Sequence, residues 1–270
     1  MMPSIALDAA ITEVFDLAAA RGVLLLIDAE QVSLQSGVDI WTVHYMRKYN
    51  DLKANKFTVY NTYQCYLKST ATTIASHLAL ARAEGWTLGA KLVRGAYLGS
   101  DPREAICDTI EDTHRQYDGI AEALMRREYN NVLKPSSEAK DVTFPAVNMV
   151  LAGHNLESAR KGMKIRSQQA AEGRQRTKMV YAQLQGMADE VSCELLQVAN
   201  AAKELPMAEQ AKVDIPEAYK YLVWGSTGEC MKYLLRRAQE NKDAVGRTKI
   251  GRDAMIGEVV RRVRSSFGLV

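Results

Sequence analysis

Residues 70–97 read TATTIASHLALARAEGWTLGAKLVRGAY. The spacing predicts a helix over Thr70 to Glu84, Gly85 stands near its end, and Leu88 to Val93 follows as an apolar strand. That strand ends in Arg94-Gly95-Ala96-Tyr97, and Lys91 interrupts its apolar run.

The same unit recurs along the chain. Leu7 to Ala20 leads to Val23–Ile27, Val38 to Tyr49 to Phe57–Tyr63, and a long helix from about Pro102 to Arg126 to Val147–Ala152. Leu156 to Glu172 leads to Met179–Leu184, and Asp189 to Lys203 to Tyr219–Val223. Six nearly continuous apolar strands alternating with helices predict a parallel sheet covered on both faces, as in a (βα) barrel or an open doubly wound sheet. Each strand ends in polar or Gly-containing sequence (DAEQ, NTYQ, RGAY, GHN, QGM, WGST), which favours a barrel with its site at the carboxyl ends of the strands. No strand is followed by G-x-G-x-x-G, which weakens the open sheet. Glu128 to Pro145 breaks the rhythm and is expected to be a flexible surface loop, residues 128–145 of a single domain spanning 1–270.

Composition bounds the partners. At 270 residues, 47% hydrophobic and 25% charged, the chain is long enough for a full core. The net charge of +3 is spread out, and the densest basic run, Arg261, Arg262 and Arg264, has no interleaved aromatic platform, which argues against nucleic acid as a partner. Four cysteines without a C-x-x-C pair argue against a zinc site or a disulfide framework. No apolar run is long enough to span a bilayer, no amphipathic anchor stands out, and the acidic N-terminus MMPSIALDAAITEVFDL does not read as a mitochondrial presequence.

Within a barrel the strand ends converge. Asp28 is either a rim carboxylate or a helix cap. Lys91 needs an anionic partner to offset its desolvation, and Asp28 is the obvious candidate. Gly95 and Ala96 allow backbone to approach a planar or phosphorylated ligand. His154 and Asn155 suit recognition of ring nitrogens and carbonyls, though a lone histidine is more often structural. Thr109 and Thr113 could bond a phosphate or ribose, but such threonines usually bond their own helix. No metal site is expected, since His44, His77 and His114 have no partners at ligand spacing. Tyr233, Arg236, Arg237 and Glu240 share one face if Met231 to Asn241 is helical, and they read either as a carboxylate clamp or as a salt-bridged surface.

FTVYNTYQCYLK, GWTLGAKLVRGAYL, the His154-Asn155 strand end, YAQLQGM and YLLRRAQEN resemble, in order and spacing, the proline dehydrogenase (proline oxidase) family, above all its eukaryotic mitochondrial members. The resemblance implies a flavoprotein oxidoreductase with a (βα)8 TIM barrel that binds FAD. It implies oxidation of L-proline to Δ1-pyrroline-5-carboxylate, the first step of proline catabolism, by hydride transfer to flavin N5, with electrons passed to a quinone. Peripheral association with the mitochondrial inner membrane is implied in the same way. Arg236 and Arg237 would bind the proline carboxylate, Tyr221 and Tyr233 would lie on its ring, and Asp28 and Leu184 would complete the pocket, with no acid–base catalytic residue required. Asn61, Lys91, Val93, Gly95, Ala96, Tyr97, Thr109, Thr113, His154, Asn155 and Glu240 would contact the cofactor. The family's first two strands have no counterpart here, so about six of the eight strands, an N-terminally truncated chain and a final helix over the mouth are expected. The alternatives are a non-catalytic remnant or interaction protein, and, more remotely, a flavin-free aldolase using Lys91 as Schiff-base former.

Overall fold

A computed structural model describes residues 3–240 and 245–267, and the side chains among them except those at 236, 239, 240, 245–251 and 254. Six strands, β1 (Leu25–Ile27), β2 (Val59–Gln64), β3 (Leu88–Val93), β4 (Val147–Ala152), β5 (Lys178–Leu184) and β6 (Ala218–Tyr221), lie side by side in chain order. All five pairings are parallel. The connecting helices are α1 (Ile5–Ala20), α2 (Val32–Tyr49), α3 (Thr70–Glu84), α4 (Ile110–Arg126), α5 (Leu156–Ala171), α6 (Asp189–Lys203) and the short α7 (Met207–Gln210). After β6 come α8 (Thr227–Glu240) and α9 (Val245–Ser266). The sheet is a curled part of an α/β barrel, as the alternation of the sequence predicts.

Strand register assigns each side chain to a face, because neighbours in a parallel pair point the same way and alternate along the chain. Leu25, Ile27, Val59, Tyr63, Ala90, Leu92, Met149, Leu151, Met179 and Tyr181 form the outer row and merge with the helices into the main core. Several buried polar groups in that layer find partners, as burial favours. Tyr63 Oη meets His77 Nδ1 of α3 at 2.8 Å, and Tyr117 of α4 donates to the Ala152 carbonyl at 3.0 Å. Asn50, fully buried after α2, donates to the carbonyls of Val59 and Thr87 and accepts from the amides of Thr58 and Val59, stitching the starts of β2 and β3 together.

Two boundaries differ from expectation. The stretch from Pro102 to Arg126 is not one helix: a 3-10 turn at Arg103–Ala105 is followed by extended chain, and α4 starts after Thr109. The reason is local. The Arg103 guanidinium holds the carbonyls of Ile106, Cys107 and Asp108 at 3.1, 2.8 and 2.7 Å, while Thr109 and Asp112 form a reciprocal capping box. Helix α2 starts six residues earlier than its apolar spacing suggests, because Asp101 Oδ1, brought from beyond β3, accepts the Val32 amide at 2.9 Å.

Residues 128–145 contain no helix or strand. Their first part is pinned to the body: Leu133 is fully buried, and Asn130 accepts from the amides of Val132 and Leu133 and donates to the Gly119 carbonyl of α4. The segment is thus not uniformly loose surface.

Candidate active site

The concave inner face behaves differently from the outer one. At its centre Thr62, Lys91 and Val150 stand in one row, and toward the carboxyl ends stand Gln64, Val93, Ala152, Ala182, Leu184, Tyr219 and Tyr221. Lys91 Nζ lies 2.5 Å from Asp28 Oδ1, just past β1. The lysine side chain is 13% exposed against 59% for the aspartate, so the carboxylate holds a largely desolvated ammonium while staying in touch with solvent. The same ammonium sits 5.9 Å from the Tyr221 ring centroid, the Tyr221 and Tyr233 rings are 6.3 Å apart and tilted by 31°, and the Arg237 guanidinium is 5.5 Å from the Tyr233 ring. Asp28, Lys91, Tyr221, Tyr233 and Arg237 therefore form one continuous ladder of alternating charge and aromatic surface. Burial first, then the Asp28 charge and Tyr233, push the Tyr221 phenol up, so it stays protonated near neutral pH.

The strand ends beside the ladder are held by a polar frame. Gln64, 2% exposed, donates to the Glu30 carbonyl at 3.0 Å and accepts the Ala96 amide at 3.0 Å, tying the loop after β3 to the loop after β1. Tyr97 Oη donates within reach of both the Ala29 carbonyl (3.2 Å) and Glu30 Oε2 (3.1 Å). Tyr66 Oη donates to Asp101 Oδ2 at 2.5 Å and receives the Tyr97 amide. His154 Nε2 accepts the Leu184 amide at 3.1 Å, joining the ends of β4 and β5.

This ladder lies in a chain whose residues 1–249 match the family model described as "Proline dehydrogenase". The chain belongs to the proline dehydrogenase family. It is similar to "Proline dehydrogenase 1, mitochondrial" of Caenorhabditis elegans, 32% identical over 265 residues, which are 94% of this chain and 37% of that protein. It is also similar to the "Probable proline dehydrogenase, mitochondrial" of Schizosaccharomyces pombe, 35% identical over 228 residues, covering 83% of this chain and 44% of the relative. The chain thus spans less than half the length of these relatives. Among solved structures it resembles proline utilization A from Bdellovibrio bacteriovorus inactivated by N-propargylglycine, with a TM-score of 0.61 at 18% identity over 85% of this chain and 21% of that one. This second likeness bears on the fold alone.

Of the residues that the proline dehydrogenase resemblance singles out, the structure gathers Asp28, Lys91, Val93, Leu184, Tyr221, Tyr233 and Arg237 at or beside the mouth, with Tyr97 and His154 in the surrounding frame. Arg236 and Glu240 share α8, but their side chains lie outside the described residues. Five other residues of that set are engaged within the chain itself. Asn61 points outward, fully buried, and donates to Asp39 of α2 at 2.8 Å, because it belongs to the other alternation class from Thr62 and Gln64. Asn155 caps α5 by accepting the Ser158 amide at 2.9 Å. Thr109 caps α4, and the Thr113 hydroxyl returns to the Thr109 carbonyl at 3.4 Å, so both threonines serve their own helix. Gly95 answers a different need from ligand approach. At φ +153°, a Cβ there would stand 2.4 Å from the Tyr66 ring, so the turn is glycine to admit that ring.

Gln64 is the mouth residue that the reading of strand ends overlooked. The available signal was the period of two: in NTYQ, Gln64 shares the face of Thr62, which is paired with Lys91.

Proposed function

We propose that this chain carries the FAD-dependent oxidation of L-proline to Δ1-pyrroline-5-carboxylate in mitochondria, with electrons delivered to a membrane quinone. The observation that carries this reading is the ladder from Lys91 through Tyr221 and Tyr233 to Arg237 at the strand ends of a proline dehydrogenase family barrel.

The arrangement suits the task. Arg237, with Arg236 beside it in sequence, offers a planar cation for the substrate carboxylate, and the Tyr221 and Tyr233 rings offer apolar surface for the pyrrolidine. The Tyr221 phenol, which stays protonated, can donate a hydrogen bond and exclude water without competing for the proton of the amine. Asp28 fixes the Lys91 ammonium so that it meets the reacting region in one orientation. The mouth also suits a flavin: half-exposed Val93, Ala182 and Leu184 make an apolar floor, and Lys91 supplies a cation beside it. Lys91, Val93 and His154 would hold the isoalloxazine, and FAD when bound supplies the two-electron acceptor.

A second reading, motifs retained without turnover, is favoured by one observation. Among the described residues β1 pairs only with β2 and β6 only with β5, so two sheet edges stand open, with Leu24, Leu26, Tyr219 and Tyr221 each at least 40% exposed. The purified chain decides between them. Yellow flavin absorption that co-purifies and is bleached by L-proline, with dye reduction, is the expected result, and a colourless protein that reduces no dye with added FAD would overturn it. The relatives' names support a mitochondrial location, and microscopy of the tagged full-length gene product checks it.

A further inference from the structure

Arg94 stands one residue past β3, between Lys91 and Val93 on one side and Ala96 and Tyr97 on the other, and the proline-oxidation reading gives it no task. The alternation that turns Lys91 and Val93 inward sends it outward, into the seam between α4 and α5. There its guanidinium carbon lies 4.3 Å from the centre of the Tyr117 ring, Nε donates to His114 Nδ1 at 2.9 Å, and Nη2 donates to Ser158 Oγ at 2.9 Å. Ser158 Oγ donates onward to Asp118 Oδ1 at 2.5 Å, and Lys161 Nζ meets Asp118 Oδ2 at 2.6 Å. Gly153 leaves room for the group, since a Cβ there would stand 3.4 Å from Arg94 Nη1 and 3.3 Å from Tyr117 Oη.

A cation in this layer costs desolvation that a leucine would not. What it holds is the turn in front of it. The Val93 and Arg94 carbonyls accept the amides of Cys65 and Tyr66 at 2.8 and 2.6 Å, and the Ala96 and Tyr97 amides reach Gln64 Oε1 and Tyr66 Oη at 3.0 and 3.3 Å. The turn is thus bonded along its front to β2 and the residues after it, and from behind to α4 and α5. The rear hold is also conditional. The half-buried His114 ring lines a surface cleft with Glu111, Arg115, Asp118 and Lys161, so protons from solvent reach it. Facing it are Arg94 from the end of β3, Glu111 and Asp118 from its own helix and Lys161 from α5, while Asn130, Asn131 and Val132 of the 128–145 segment bring no charge. Burial first, then the Arg94 charge, disfavour the protonated ring, so Nδ1 accepts from Arg94 at neutral pH and loses that capacity in acid.

We infer that Arg94 is a positioning residue for proline oxidation: gripped by His114 and Ser158 behind the sheet, its guanidinium fixes the turn Val93–Tyr97 at the mouth of the barrel. The guanidinium touches none of the mouth groups Asp28, Tyr221 and Tyr233 and acts through the backbone on either side of it. Lys91 and Val93 precede the anchored residue, and Tyr97, bonded to Ala29 and Glu30, follows it. Two bonds and one ring contact on a planar group remove the freedom of the turn to rotate about the end of β3, which is how a side chain outside a site holds that site in one geometry. The inference rests on the proposed function for what the turn serves, but its first readout does not depend on turnover.

Amide hydrogen exchange of the full chain, measured without added flavin, tests the anchor directly. In Arg94→Leu the Ala96 and Tyr97 amides should exchange about tenfold faster, those of β5 and β6 at the parent rate, and kcat/KM for proline should fall about tenfold. Ser158→Ala and His114→Leu each remove one bond and should give smaller changes of the same kind, and they decide the matter if Arg94→Leu does not fold. His114→Gln, which keeps an acceptor, should retain the parent's exchange at neutral pH. At pH 5.5, after correction for the intrinsic pH dependence of exchange, the parent should loosen at Ala96 and Tyr97 while His114→Gln does not. The inference is overturned if the two amides exchange as in the parent in all three bond-removing variants, or if exchange rises equally across the sheet, which is a structural role alone. It is overturned equally if the turn loosens while kcat/KM stays at the parent value, or if His114→Gln behaves as His114→Leu. A chain that never oxidises proline sinks the proposed function, and the exchange result then stands or falls by itself on whether Arg94 fixes the turn.

Discussion

The two faces of one sheet follow different rules. On the outer face every strand contributes residues to a closed layer, with Leu88, Leu92, Met149 and Tyr181 no more than 1% exposed and hydrogen-bonding groups such as Tyr63, His77 and Asn50 matched to partners. On the inner face Lys91 is held by a half-exposed Asp28, Tyr219 and Tyr221 are open, and Arg237 stands over an aromatic ring. Adjacent residues of a single strand, Lys91 and Leu92, therefore do opposite jobs. Close packing lies on the outer side of the barrel, and open charged and aromatic groups on the inner side.

That pair gives the sharpest test. Leu92→Ala removes a fully buried side chain and leaves a cavity, with an expected loss of about 2–5 kcal/mol in urea unfolding. Lys91→Met keeps the volume and removes the charge. Its expected effect is a fall of about a hundredfold in kcat/KM for proline, about 2.7 kcal/mol of transition-state binding, while the unfolding midpoint moves little. The division of labour fails if Lys91→Met unfolds the chain or if Leu92→Ala selectively abolishes turnover in a stable protein.

A smaller effect separates the faces by pH. Burial lowers the affinity of His77 and His114 for protons, and in His114 the Arg94 charge adds to it; Arg94 Nε donates to His114 Nδ1 at 2.9 Å, which requires a neutral ring. Both groups bind a proton more readily in the unfolded chain, so their contribution to stability is complete above the unfolded value of about 6.5 and is lost as pH falls below it. The melting temperature should therefore drop as pH is lowered from 7.5 toward 5. In His114→Gln, which preserves an acceptor for Arg94, the slope should flatten. An unchanged slope would mean that other groups set the acid limit.

The order of the elements was legible because each strand is a short apolar run between a helix stop and a polar end. The Asp28–Lys91 pair was legible for the same reason: a cation in an apolar strand demands an anion, and only one strand end nearby supplied it. What stayed hidden depends on contacts distant in sequence. The early start of α2 is imposed by Asp101, and the glycine at position 95 by the Tyr66 ring. Asn61 misled because composition at a strand end does not say which face a residue takes. Register with Lys91, visible only across two strands, assigns that place to Gln64.

The smallest expected effect concerns the 128–145 segment, whose two halves contrast in the same way as the two faces. Its first half is anchored by Leu133 and Asn130, whereas in the second the Arg82 guanidinium meets Asp141 at 2.6 Å, an exposed pair. Asp141 also accepts the Thr143 amide at 2.8 Å, and these bonds bring its carboxyl down to about 2, so the clamp persists across physiological pH. Exposed pairs contribute little to global stability, so Arg82→Ala should leave the melting temperature unchanged. It should nevertheless release the second half, and limited trypsin digestion should cut at Lys140 faster than in the parent chain, with Arg126 and Arg127 cut no faster. If both halves become sensitive together, the segment opens as one unit, and the anchoring by Asn130 and Leu133 does not set a boundary within it.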